Sequence, residues 1–82
     1  MQKEKIIDIS ETTIGNFGAK FVAEAIPECE GLEEIRLSNC GIKDEGAIAL
    51  FDKLRTASTV NMIDLNRNNL TEKCYDSLIQ ML

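Results

Sequence analysis

The sequence repeats itself at an interval of 28 residues, and a chain of this kind is built from copies of one supersecondary unit that must stack to bury its apolar side. Ile7, Ile9 and Ile14 recur as Ile35, Leu37 and Ile42 and again as Ile63, Leu65 and Leu70, without a slip of register. Leu32 and Val60 open the second and third units, whereas Glu4 stands at that place in the first. Four further columns follow: Gly18, Gly46 and Cys74; Ala19, Ala47 and Tyr75; Val22, Leu50 and Leu78; and Ile26, Leu54 and Leu82.

The isoleucines and leucines at the front of each unit alternate with polar residues, the period of a half-buried strand, while the later columns are spaced three or four apart, as on one face of a helix. Each unit therefore reads as strand, loop, helix, and the units run over residues 4–31, 32–59 and 60–82 of a single domain. The spacing predicts helices from Phe17 to Ile26, from Lys43 or Asp44 to Ala57, and from Thr71 to the end. Asn16 precedes the first and Thr71 with Glu72 opens the third, residues whose side chains cap free amides and favour the helix dipole. Pro27 stops the first helix, since its ring fixes φ and removes a donor. Stacked units place strands about 4.8 Å apart and form one core between a strand layer and a helix layer.

At Leu32-Glu33-Glu34-Ile35-Arg36-Leu37-Ser38-Asn39-Cys40-Gly41-Ile42 the sequence resembles a leucine-rich repeat, and Val60 to Leu70 repeats it with Asn68 in the place of Cys40. The unit length and the later Gly and Leu columns are similar to the ribonuclease-inhibitor-like subfamily. The resemblance implies a right-handed α/β solenoid, a horseshoe segment of three leucine-rich repeats with short parallel strands on the concave side and helices on the convex side. It also implies a protein-binding scaffold, with no cofactor.

Composition narrows the function classes. With 14 acidic against 9 basic residues, no histidine and a net charge of −5, the chain opposes the counterion release that drives nucleic-acid binding and is repelled by anionic lipid. No apolar run approaches the 18 or so residues of a membrane span, and the first residues lack the apolar stretch of a signal peptide, so the expected location is cytoplasmic. Cys29, Cys40 and Cys74 form no Cys-x-x-Cys pair and have no histidine to complete a zinc set, so they read as reduced structural thiols, with no metal site. Without histidine, catalysis would rest on carboxylates or on a thiol with no evident base, and the chain reads as a non-enzyme.

Between the buried strand residues lie positions facing the other side of the sheet, set by the repeat into ladders: Ile6/Glu34/Met62, Asp8/Arg36/Asp64, Ser10/Ser38/Asn66 and Glu11/Asn39/Arg67. Asp8, Glu34, Arg36, Met62, Asp64 and Arg67 are the expected protein-binding residues, with Arg36 flanked by acids on both neighbouring strands in a cross-strand charge ladder. Cys40, Asn68 and, less fully, Thr12 are expected to reach inward and satisfy backbone groups at the strand-to-loop bend. Tyr75, Leu78 and Leu82 mark a possible end interface. Both ends of the stack look uncapped, which suggests a segment of a longer repeat protein or, alternatively, a small protein that forms homo-oligomers through its open ends.

Overall fold

In the computed structural model, which describes residues 5–81, the chain folds into three strand–loop–helix units packed side by side. The strands are β1 (Ile6–Asp8), β2 (Glu34–Arg36) and β3 (Met62–Asp64), and the helices are α1 (Gly15–Ala25), α2 (Asp44–Leu54) and α3 (Tyr75–Met81). The sheet is parallel in the order β1-β2-β3. Its register aligns Ile7 with Ile35 and Ile35 with Ile63, so that Asp8, Arg36 and Asp64 lie side by side. Glu4 and Leu82 lie outside the described residues.

The core is concentrated in the middle unit. Leu32, Ile35, Leu37, Cys40, Ile42 and Leu50 are fully buried, whereas Ile7, Ile9, Ile63 and Leu65, which occupy the same positions in the flanking units, are only partly so. The middle unit alone has a described neighbour on each side, and full burial of such a side chain contributes about 1.5–3 kcal/mol. Stability is therefore weighted towards the centre of the stack.

Helix ends differ from the expected ones in instructive ways. The first helix starts at Gly15 rather than Phe17 and has no side-chain cap. Ala25 ends it, and Pro27 lies in a following 3-10 turn, Ile26–Glu28, where a missing amide is harmless. The second ends at Leu54 instead of Ala57, the chain turning through Thr56 and Ala57. The third begins as a 3-10 turn over Glu72–Cys74, with Thr71 Oγ1 accepting from the Lys73 amide, before α3 proper.

Asn16 does cap a helix, but not its own. Its Oδ1 accepts from the Lys43 amide at 2.8 Å and the Gly46 amide at 3.0 Å, at the start of α2. One unit later Asp44 occupies the same position, and its carboxylate accepts from the Thr71 amide at 2.7 Å and from the Thr71 hydroxyl. The column Asn16/Asp44 thus ties each helix start to the unit before it. Free helix-start amides need an acceptor, and one supplied by the previous unit also fixes the stacking distance.

The Asp44 carboxyl is held below its ordinary value of 3.8, chiefly by the hydrogen bonds from Thr71. A depressed native value means that the carboxylate adds stability above the ordinary range and that this contribution is lost as pH falls through 3.8 and then through the lower native value. Acid titration followed by circular dichroism is expected to show this loss below about pH 4, and Asp44→Asn to flatten that part of the profile.

The thiols differ in access. Cys40 and Cys74 are buried and Cys29 is half-buried, and burial, reinforced by Asp44, pushes the Cys74 thiol up from its ordinary value. A thiol-alkylating reagent applied to the native protein should modify Cys29 first and reach Cys40 and Cys74 only on unfolding, as mass spectrometry of the labelled peptides would read.

Candidate protein-binding face

The face of the sheet away from the core carries Ile6, Asp8, Glu34, Arg36, Met62 and Asp64, because residues two apart on a strand share a face and the parallel register lines them up. The ladder is present as a column, but its ion pairing is not the cross-strand one. Arg36 donates from Nε at 3.2 Å and from a terminal nitrogen at 2.7 Å to one oxygen of Glu34, two residues back on its own strand. Asp8 Oδ1 instead accepts from the Ser10 amide at 3.0 Å, and Asp64 Oδ1 from the Asn66 amide at 2.9 Å.

The reason is reach. A short aspartate at a strand end finds the amide two residues ahead and closes a turn with it, whereas the longer glutamate extends along the face to the guanidinium. Asp8 and Asp64 act on Arg36 through space only, adding to the effect of Glu34 in holding the guanidinium above its ordinary value. The Ser10 bonds are the main cause of the lowered Asp8 carboxyl. With the Arg36 and Glu34 side chains 43% and 29% exposed, this pair contributes little to stability. Its charges remain available to an approaching surface, with three carboxylates around one guanidinium.

Beyond the strands the face continues into three turns of matching shape. Glu11, Asn39 and Arg67 all adopt left-handed φ, at 66°, 54° and 62°, a conformation costly for residues other than Gly, Asn and Asp. The repeated turn aims their side chains alongside one another, and Asn39 Nδ2 donates to Glu11 Oε1 at 2.8 Å. Arg67 is exposed beside them. A turn residue in a sparsely populated conformation is well placed to present its side chain, since the backbone beneath it is fixed from both sides.

Asn68 and Cys40 bind this row of turns to the sheet. Asn68 Oδ1 accepts from the Cys40 amide at 2.9 Å and the Ile42 amide at 3.0 Å, while its Nδ2 donates to the carbonyls of Leu37 at 2.8 Å and Leu65 at 3.1 Å. Cys40 Sγ donates to the Ile9 carbonyl at 3.2 Å. Thr12, expected to do part of this work, is exposed and its side chain makes no hydrogen bond among the described residues. Asn68 and Cys40 each reach into the preceding unit, and no described unit precedes Thr12.

Other expected residues fall elsewhere. Tyr75 is exposed and Leu78 half-buried on α3, away from the strand face. The sequence reading missed Phe17 and Phe21 on α1, which are 75% and 65% exposed and pack edge to face with ring centroids 5.0 Å apart. Their four-residue separation was the available signal.

Comparison with known proteins gives the same framework. Residues 29–51 match a family model described as Leucine Rich repeat. Over 64 residues, 78% of this chain, the sequence is 38% identical to the centrosomal protein of 78 kDa from Xenopus tropicalis. It is 36% identical over 61 residues, 74% of the chain, to the proteins of the same name from Homo sapiens and Mus musculus. The chain spans only 9% of the length of the frog and human relatives and 8% of the mouse one. The matched segment 29–51 takes in β2, its loop and most of α2, the unit with the complete core, and it is in this part that the chain is similar to a leucine-rich repeat.

Proposed function

We propose that the chain is a non-catalytic protein-interaction segment of a longer repeat protein, of the ribonuclease-inhibitor-like kind with 28-residue units. It presents its strand face to a basic or mixed-charge protein surface. The observation that carries this reading is the pairing of Arg36 with Glu34 between the flanking carboxylates of Asp8 and Asp64, a fixed charge pattern of the sort that steers and selects protein partners. Met62 adds an adaptable apolar contact and Arg67 extends the pattern into the turns. A standard interface takes about 800 Å² from each partner, so three-residue strands must be supplemented by the turn row of Glu11, Asn39 and Arg67. The centrosomal relatives support a scaffold role at the centrosome.

The test is localisation and capture with the full chain carrying a fluorescent tag. The native sequence is expected to concentrate at centrosomes, and the pair Arg36→Glu with Asp64→Lys to disperse it while the circular dichroism spectrum is kept. Asp52→Lys, an exposed change on α2, should leave localisation intact. Dispersal by Asp52→Lys alone, or none with the strand-face pair, would refute the proposal.

A further inference from the structure

The segment that joins α2 to β3 differs in chemistry from the one beside it that joins α1 to β2. Residues 53–60 carry Lys53 and Arg55 and no acid, whereas residues 26–31 carry Glu28 and Glu30 and no base. The two segments flank one groove, to which the first contributes Pro27 and Glu30 and the second Lys53 and Ser58. Opposite charges on neighbouring segments attract, weakly here because Glu28, Glu30 and Arg55 are exposed.

Ser58 carries the free hydroxyl of the basic segment. Thr59 Oγ1 donates to the Leu32 carbonyl at 2.7 Å and Thr56 Oγ1 to the Lys53 carbonyl at 3.4 Å. The Ser58 hydroxyl is exposed and has no hydrogen-bond partner among the described residues. Ser58 is also the one serine or threonine of the chain with an arginine three residues before it. That arginine, Arg55, is exposed and joins no ion pair among the described residues. Other hydroxyls near a basic side chain are placed differently. Ser38 follows Arg36 by two residues, but Glu34 holds that guanidinium, and Thr56 follows by three residues Lys53, whose Nζ lies 4.0 Å from Glu24 Oε2.

The backbone of this segment can be drawn out without emptying the core. The Thr56 and Ala57 amides donate to the Lys53 and Leu54 carbonyls at 3.4 and 3.2 Å, long bonds at the end of a helix. Arg55, Thr56 and Ser58 are exposed and Ala57 is half-buried, so straightening residues 55–58 leaves the buried Leu54 and the Thr59 anchor in place.

We propose that Ser58 is a phosphorylation site for a basophilic protein kinase, an enzyme whose substrate groove holds carboxylates that read the Arg55 guanidinium three residues before the acceptor. The Ser58 oxygen forms a bond to the γ-phosphorus of ATP as the bond from that phosphorus to the β–γ bridging oxygen breaks. ADP leaves, and the hydroxyl proton passes to the catalytic carboxylate of the kinase. The phosphate carries a charge of about −1.5 to −2, which brings residues 53–60 close to neutrality and removes their attraction to Glu28 and Glu30. The site lies between α2 and β3 and does not depend on the strand-face reading.

The test incubates the full native chain with MgATP and the catalytic subunit of the cyclic-AMP-dependent protein kinase, and maps phosphate by tandem mass spectrometry. One phosphate is expected, on Ser58, and none on the Ser58→Ala chain. Arg55→Ala should lower kcat/KM for the transfer by about tenfold or more, the worth of a charge-assisted contact, and Arg55→Lys should recover part of the loss. Both positions are exposed, and circular dichroism checks that the variants are folded. Three results overturn the proposal: an unlabelled folded chain while a control peptide substrate is turned over, phosphate on Thr56 or Ser38 in place of Ser58, or an Arg55→Ala rate equal to that of the native chain.

Discussion

Asn68→Ala is expected to lower the unfolding free energy by about 2–4 kcal/mol, since each buried donor left without its acceptor costs about 1–3 kcal/mol. One oxygen serves the amides of Cys40 and Ile42 and one nitrogen serves the carbonyls of Leu37 and Leu65, so a single truncation strands groups in two units. Urea unfolding should show a lower midpoint with an unchanged slope. A graded series identifies the cause. Asn68→Cys restores a donor, as Cys40 supplies to the Ile9 carbonyl one unit earlier, but not a strong acceptor, and should fall between the native protein and the alanine variant. Equal stability of the alanine variant and the native protein would show that water replaces the amide at no cost.

Gly46→Ala is expected to destabilise the protein by about 1–2 kcal/mol, against the ordinary gain of about 1 kcal/mol for removing a glycine from a helix. A methyl group at position 46 would stand 2.7 Å from Asn16 Oδ1 and 3.0 Å from both Ala19 Cβ and Ile42 Cγ2. Either α1 and α2 separate or Asn16 swings away and releases the Lys43 and Gly46 amides. The two explanations part in a double-mutant cycle. If displacement of the cap dominates, Gly46→Ala costs much less in an Asn16→Ala background; if helix separation dominates, the two losses add. A stabilised Gly46→Ala variant would refute the close approach itself.

Much of the architecture was legible in the sequence because its signal is repeated. Ile7, Ile35 and Ile63 face the same side for the same reason, and three copies of one pattern fix the register that a single copy would leave open. The acid and base positions of the strand face followed directly from that alternation. Their partners did not. Arg36 could be placed between Asp8 and Asp64 by counting, but whether a carboxylate turns to a guanidinium or to a nearby amide depends on side-chain length and a few tenths of an ångström, and here Glu34 is the partner. Thr12 shares a column with Cys40 and Asn68, yet it has no described unit behind it to bond. Phe17 and Phe21 went unread because their four-residue spacing fits a core-facing helical pair as well as an exposed one until the helix is oriented.

The sequence by itself determined the unit, the alternation of strand and helix, and which columns are apolar, since these depend on backbone period and on one-sided burial. Only the tertiary structure decided that Asn16 and Asp44 cap the next helix rather than their own, that among the described residues the core is complete only in the middle unit, and that Glu34 claims Arg36. Those outcomes rest on contacts of about 3 Å between units brought side by side by stacking, and a pattern of residue types specifies the stack but not the hydrogen-bond distances within it.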